Sequence, residues 1–167
     1  MRRILRQREI VADDWRHLGE EPSEGAALIV PLAELRSDAA RWSQWPGRLG
    51  VRLTPVDRVE ELTQELPRLE LVAVDFPGPG DGRGYSQARL LRERLGFRGE
   101  LRAVGAGVRQ DQVFLLARCG FDAMELAAGE DLEAARRALA RYDVAYQAGS
   151  RQVEIRRQRF FAGHMVK

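Results

Sequence analysis

The chain reads as an α/β fold of about five βα units, and three observations predict it. Compact β-favouring runs recur at 26–32, 49–53, 69–77, 99–105 and 121–126. The stretches between them carry apolar residues at helical spacing, as Val59, Leu62 and Leu66 do with Glu60, Glu61 and Glu65 on the other side. Gly, Pro or Thr closes nearly every run. Strands separated by helices pair in parallel through right-handed crossovers. An open parallel sheet of flavodoxin or receiver type follows, because five units are too few to close an eight-stranded barrel. The alternative is a partial (β/α) barrel.

The elements justify themselves in order. Residues 1–15 alternate loosely around Ile4, Ile10 and Val11, which suits a strand or hairpin arm, and 19–25 is a polar connector. The apolar run at 26–32 is a buried strand, followed by a helix over 33–42 that Trp45-Pro46-Gly47 closes. Leu49-Gly50-Val51-Arg52-Leu53 is the next strand, Thr54-Pro55 a turn, and 57–66 a helix. The run Leu71-Val72-Ala73-Val74-Asp75 ends in Phe76-Pro77-Gly78-Pro79-Gly80, and a helix over 85–95 follows with Ser86 as its N-cap. Then come a strand at 99–105, a helix over 109–118, a strand at 121–126 and a helix over 131–142. This divides the chain into an N-terminal arm (1–24), an α/β domain (25–147) and a basic, aromatic tail (148–167).

Composition narrows the class. At 167 residues, 44% hydrophobic and 31% charged, the chain has enough apolar material for one domain with a full core, which argues against disorder. With 27 basic against 25 acidic residues, it lacks the footprint of a dedicated nucleic-acid binder. The one cysteine, Cys119, allows neither an internal disulfide nor a thiolate metal site, and no metal-ligand spacing stands out. No long apolar run marks a membrane span or signal peptide, so a cytoplasmic location is expected. His17 and His164, in the terminal segments, read as solvent-exposed side chains.

Ligands of parallel α/β sheets collect at the carboxyl ends of the strands. Asp75 ends the third strand of the domain, and Asp81, Arg83, Tyr85 and Ser86 occupy the Gly-rich loop beyond it. Arg109 follows the fourth strand and Glu125 ends the fifth. Arg83 and Arg109 are forks suited to an oxyanion, with Tyr85 and Ser86 as further donors, and Asp81 orienting Arg83. Asp75, Asp81 and Glu125 are the candidates for acid–base chemistry. A turn with a surface Asp–Arg pair explains the same loop without a ligand. The loop lacks the Lys-Ser or Lys-Thr of a phosphate-binding P-loop, and its glycines miss the dinucleotide spacing. No redox-cofactor motif is evident.

Three stretches carry a resemblance: Arg-Glu-Ile-Val-Ala-Asp-Asp-Trp at 8–15, Leu-Ile-Val-Pro-Leu at 28–32, and the block from Asp81-Gly82-Arg83-Gly84-Tyr85-Ser86 through Ala117-Arg118-Cys119-Gly120-Phe121-Asp122. On them the chain resembles the bacterial domain-of-unknown-function 934 family, whose members carry the label of oxidoreductases of sulfite reduction. The family has a bulkier turn where this chain has Gly78-Pro79-Gly80. The resemblance implies genomic company with a sulfite reductase haemoprotein and with the adenylyl-sulfate reduction step of cysteine biosynthesis. The expectation is an accessory protein of assimilatory sulfite reduction that binds a small oxyanion, or the reductase, at the strand C-terminal face. The alternatives are a stand-alone enzyme acting on a phosphorylated or nucleotide-like molecule, and a homodimer joined through its terminal segments.

Overall fold

The computed structural model describes residues 2–20 and 27–141. It holds eight strands: β1 (Arg3–Arg6), β2 (Glu9–Ala12), β3 (Trp15–His17), β4 (Ala27–Pro31), β5 (Leu49–Leu53), β6 (Leu71–Asp75), β7 (Glu100–Val104) and β8 (Ala123–Met124). All belong to one sheet in the order β2-β1-β8-β7-β6-β5-β4-β3. From β3 to β8 the neighbours are parallel, while β1 runs antiparallel to both β8 and β2.

This mixed sheet is not the simple parallel flavodoxin-type sheet that was expected. It curls into a half-barrel, and the partial-barrel alternative fits it. The cause lies in residues 2–20. Their first two strands form a hairpin that adds antiparallel pairs beyond β8. Only Asp13 and Asp14 then separate β2 from β3, although these strands stand at opposite ends of the strand order. The chain from Ala12 to Trp15 spans at most about 11 Å. Both edges must therefore come close together, and the sheet must curl.

Alternation along the strands gives the sheet two faces of different chemistry. On the convex face Leu28, Val30, Val51, Leu53, Val72, Val74, Leu101, Ala103 and Met124 form the main core under the helices. These are α1 (Leu32–Ser37), α2 (Ala39–Ser43), α3 (Arg83–Arg89), α4 (Val113–Arg118) and α5 (Leu132–Arg141). Burying each such Val or Leu contributes about 1.5–3 kcal/mol. The concave face has a smaller apolar cluster of Trp15, Ala27, Ile29, Leu71, Ala73 and Val104. Gly50 lies beneath Trp15, and a Cβ there would come within 3.1 Å of the indole.

Several helices are shorter than their patterns predict. The helix expected over 33–42 breaks at Asp38, which ends α1 and accepts the Arg41 backbone N–H to cap α2. The one expected over 57–66 is two 3₁₀ turns, Val59–Leu62 and Leu66–Arg68. Asp57 accepts hydrogen bonds from the backbone and hydroxyl of Thr54, which tightens the entry, and Pro67 cannot continue an α-helix. After β6, α3 begins beyond Gly82, so Ser86 lies within the helix and does not cap it. A π turn, Leu90–Arg94, prolongs α3. Its Arg92 reaches the carbonyls of Phe97, Gly99 and Gly120 and the carboxylate of Asp122, tying the π turn to two loops. The tail at 148–167 and His164 lie outside the described residues. Among the described residues no helix is long and apolar enough to cross a membrane.

Glycines permit close packing where the loops after β6 and β7 meet. The Gly107 N–H donates to the Phe76 carbonyl at 2.7 Å, and a Cβ on Gly107 would lie 2.5 Å from the Gly78 carbonyl oxygen. Backbone cannot yield there as a flexible side chain could. Gly107→Ala is expected to cost about 1–3 kcal/mol, read as a lower urea midpoint with an unchanged slope.

Candidate functional site

The concave face is polar where the N-terminal segment crosses it. Asp13 and Arg102 are both fully buried, and Arg102 Nη1 donates to Asp13 Oδ1 at 2.9 Å. Arg102 sits mid-strand on β7, its register partners Ala73 and Ala123 marking the concave side. It also donates from Nε to Glu100 at 2.8 Å. The second Asp13 oxygen accepts from Arg2 Nε at 2.7 Å, and the first also accepts the Trp15 backbone N–H at 3.2 Å. One carboxylate thus joins β1, β3 and β7.

Above this buried network, at the C-terminal ends of the parallel strands, lie two further groups. On one side His17 Nε2 is 3.1 Å from Glu125 Oε2, and Arg2 Nη1 is 3.4 Å from Glu125 Oε1. Arg2 Nη1 also donates to Glu20 at 2.8 Å, and the His17 backbone N–H donates to the other oxygen of Glu20 at 2.9 Å. On the other side Arg52 Nη2 donates to Asp75 Oδ1 at 2.8 Å. Asp75 pairs in register with Val104, and the Glu125 backbone N–H donates to the Ala103 carbonyl, so a single strand separates the two carboxylates. Their Cα atoms lie about 10 Å apart at ordinary strand spacing.

Electrostatics distinguish these groups. Burial alone would raise the Glu125 carboxyl, but the His17 hydrogen bond and the charges of His17, Arg2 and Arg102 outweigh it and hold it below the ordinary range. Arg2 is held above its usual value, because Glu125, Asp13 and Glu20 together outweigh its own burial. Asp75 keeps one guanidinium partner, and the Gly105 backbone passes so close that a Cβ there would collide with Asp75 Oδ1.

The residues expected to bind an anion fall into separate places. Arg83 turns back on Asp81, with Nε at 3.0 Å and Nη2 at 2.6 Å, and the pair lies on the surface before α3. That pairing lowers the Asp81 carboxyl and raises Arg83. Tyr85 packs edge-on against Phe76, ring centres 5.1 Å apart, and burial raises its phenol. Ser86 is exposed on α3. Arg109 lies 3.5 Å from Glu130. Among the described residues no group of three or more His, Cys, Asp or Glu is placed to hold a metal ion.

Asp75 and Glu125 do reach the strand-end mouth of the half-barrel. The expectation of a solvent-exposed His17 is corrected: its side chain is only 15% exposed and faces Glu125, because β3 lies at the edge that meets β8. Reading by strand ends also passed over Arg2, Asp13, Arg52 and Arg102. A usable signal was present. Arg52 and Arg102 each stand between apolar neighbours in a buried strand, and Asp13, Trp15 and His17 alternate on one face.

Glu125 titrates below its unfolded value, so the stability it contributes is present above the unfolded value of 4.5 and is lost as pH falls through the folded one. Urea midpoints should therefore fall for the native chain as pH drops below about 4.5. Glu125→Gln should flatten that part of the profile.

A family profile described as "Bacterial protein of unknown function (DUF934)" matches residues 50–155. No curated protein matches the chain. The match spans more than half the chain, so the protein belongs to this DUF934 family.

Proposed function

We propose that this DUF934 protein binds a small oxyanion at the C-terminal mouth of its half-barrel and serves assimilatory sulfite reduction as an accessory protein. Arg52 carries the reading. Its guanidinium offers five N–H donors, and among the described residues Asp75 is its one partner, through Nη2 alone. The side chain is 35% exposed, so the remaining donors can meet a ligand. Asp75 holds the fork in place, as a pre-ordered anion contact requires. Arg102 and Arg2, by contrast, already use several donors on neighbouring acids.

The sulfur context comes from the motifs that resemble the family and its label. It makes sulfite and sulfate the first anions to test, and a sulfite reductase haemoprotein the first protein partner. The Asp81–Arg83 loop, with Tyr85 and Ser86, is the second place for the same anion. Arg109, with Glu130 beside it, lies one loop further on.

Calorimetric titration with sulfite, sulfate and phosphate separates the two places. Arg52→Gln should weaken anion binding by about tenfold or more, the cost of one charge-assisted hydrogen bond, while Arg83→Gln leaves it within about twofold. Loss on Arg83→Gln alone would move the anion to the β6–α3 loop. No heat with any of the three anions, and no capture of the reductase, would refute the reading.

A further inference from the structure

Two ring nitrogens inside the half-barrel have no hydrogen-bond partner. Among the described residues they are Nε1 of Trp15, a fully buried residue, and Nδ1 of His17, both shut off from solvent. The residues stand two apart on β3 and face the same concave side, with Cα atoms about 7 Å apart. Buried polar atoms are nearly always paired, and an unpaired one calls for an explanation such as a missing ligand or water. Two neighbours on one face mark a position. Arg52 stands toward the mouth: His17 pairs with Ile29, Ile29 with Gly50, and Arg52 lies two residues beyond Gly50 on the same face.

The protonation of His17 decides what such a position accepts. Its Nε2 faces the Glu125 carboxylate, so in the neutral ring the proton belongs on Nε2 and Nδ1 presents a lone pair. A lone pair repels an anion. Once Nδ1 gains a proton, the ring offers one N–H to Glu125 and the other to the ligand. Charged groups from several elements face the ring. Glu125 follows β8 and Glu20 follows β3, both acidic, while Arg2 reaches between them from the start of β1. Asp13 lies beside Arg2, Arg102 acts on Glu125 from β7, and Ile29 on β4 is apolar. A carboxylate behind a histidine is also what holds an imidazole in one orientation.

We infer that His17 Nδ1–H and Trp15 Nε1–H bind a small oxyanion inside the half-barrel, entered past Arg52, with the His17 ring donating one N–H to the anion and the other to Glu125. This rests on the oxyanion reading above and adds where the anion sits and which side chains donate to it. The ligand class is a small anion with at least two acceptor oxygens.

The test uses the full chain with sulfite, sulfate and phosphate as probes. The sequence has two histidines and three tryptophans, so imidazole nitrogens and indole N–H signals can be assigned individually by NMR. Titration should shift the His17 Nδ1 and Trp15 indole N–H signals, with both His17 nitrogens protonated in the complex. His17→Gln should weaken binding by about tenfold; the wild-type NMR readout stands even if this variant folds poorly. Anion binding that Arg52→Gln abolishes, with the His17 and Trp15 signals unmoved, would overturn this inference and leave the oxyanion reading intact. No binding of any probe would overturn both.

Discussion

The ion pair between Asp13 and Arg102 is the constraint on which the rest of the half-barrel depends. Both side chains are fully sealed from solvent, and Asp13 is one of two residues that connect the sheet's two edges. Removing two charges from water costs several kcal/mol each unless geometry and further hydrogen bonds compensate. Compensation here comes from Arg2, from the Trp15 backbone and from Glu100. Such a network is met only when β1, β3 and β7 stand in one relative arrangement. An apolar interior would tolerate a slipped register more easily, since greasy contacts are not directional. We read the pair as a specifier of the curl and not as a large net source of stability.

From that arrangement the mouth follows. The segment that carries Asp13 also brings His17 and Glu20 to the C-terminal ends of β7 and β8, and the start of β1 brings Arg2. The helical half of the chain contributes Arg52 and Asp75 through β5 and β6. The polar mouth is therefore shared between the first twenty residues and the βα units, and neither part completes it alone. The glycine-rich loops after β6 and β7, which look like ligand cradles, pack instead against each other and against Phe76.

Much of this was legible in the sequence. The βα alternation from 27 onward, the strand identities and the end of β6 at Asp75 follow from residue pattern, because buried parallel strands read as continuous apolar runs. The strand-end positions of Asp75 and Glu125 also follow from the residue pattern. The curl was not legible, since it arises from pairing between residues 2–20 and segments a hundred positions away, and local pattern carries no such information. Ser86 misled for a local reason. It resembles an N-cap, but Gly84 allows α3 to start earlier, where a side chain would strike the Phe76 ring at 2.5 Å. Arg52 and Arg102 were ordinary charged residues until the fold showed which face of the sheet they occupy.

The most direct test is a double-mutant cycle on Asp13 and Arg102, measured by urea unfolding. Asp13→Asn and Arg102→Met should each cost about 3–5 kcal/mol, because each leaves a buried charge unanswered. The double variant should cost clearly less than their sum, with a coupling of about 2 kcal/mol or more. Single costs below about 1 kcal/mol, or strictly additive ones, would show that the pair does not hold the half-barrel together.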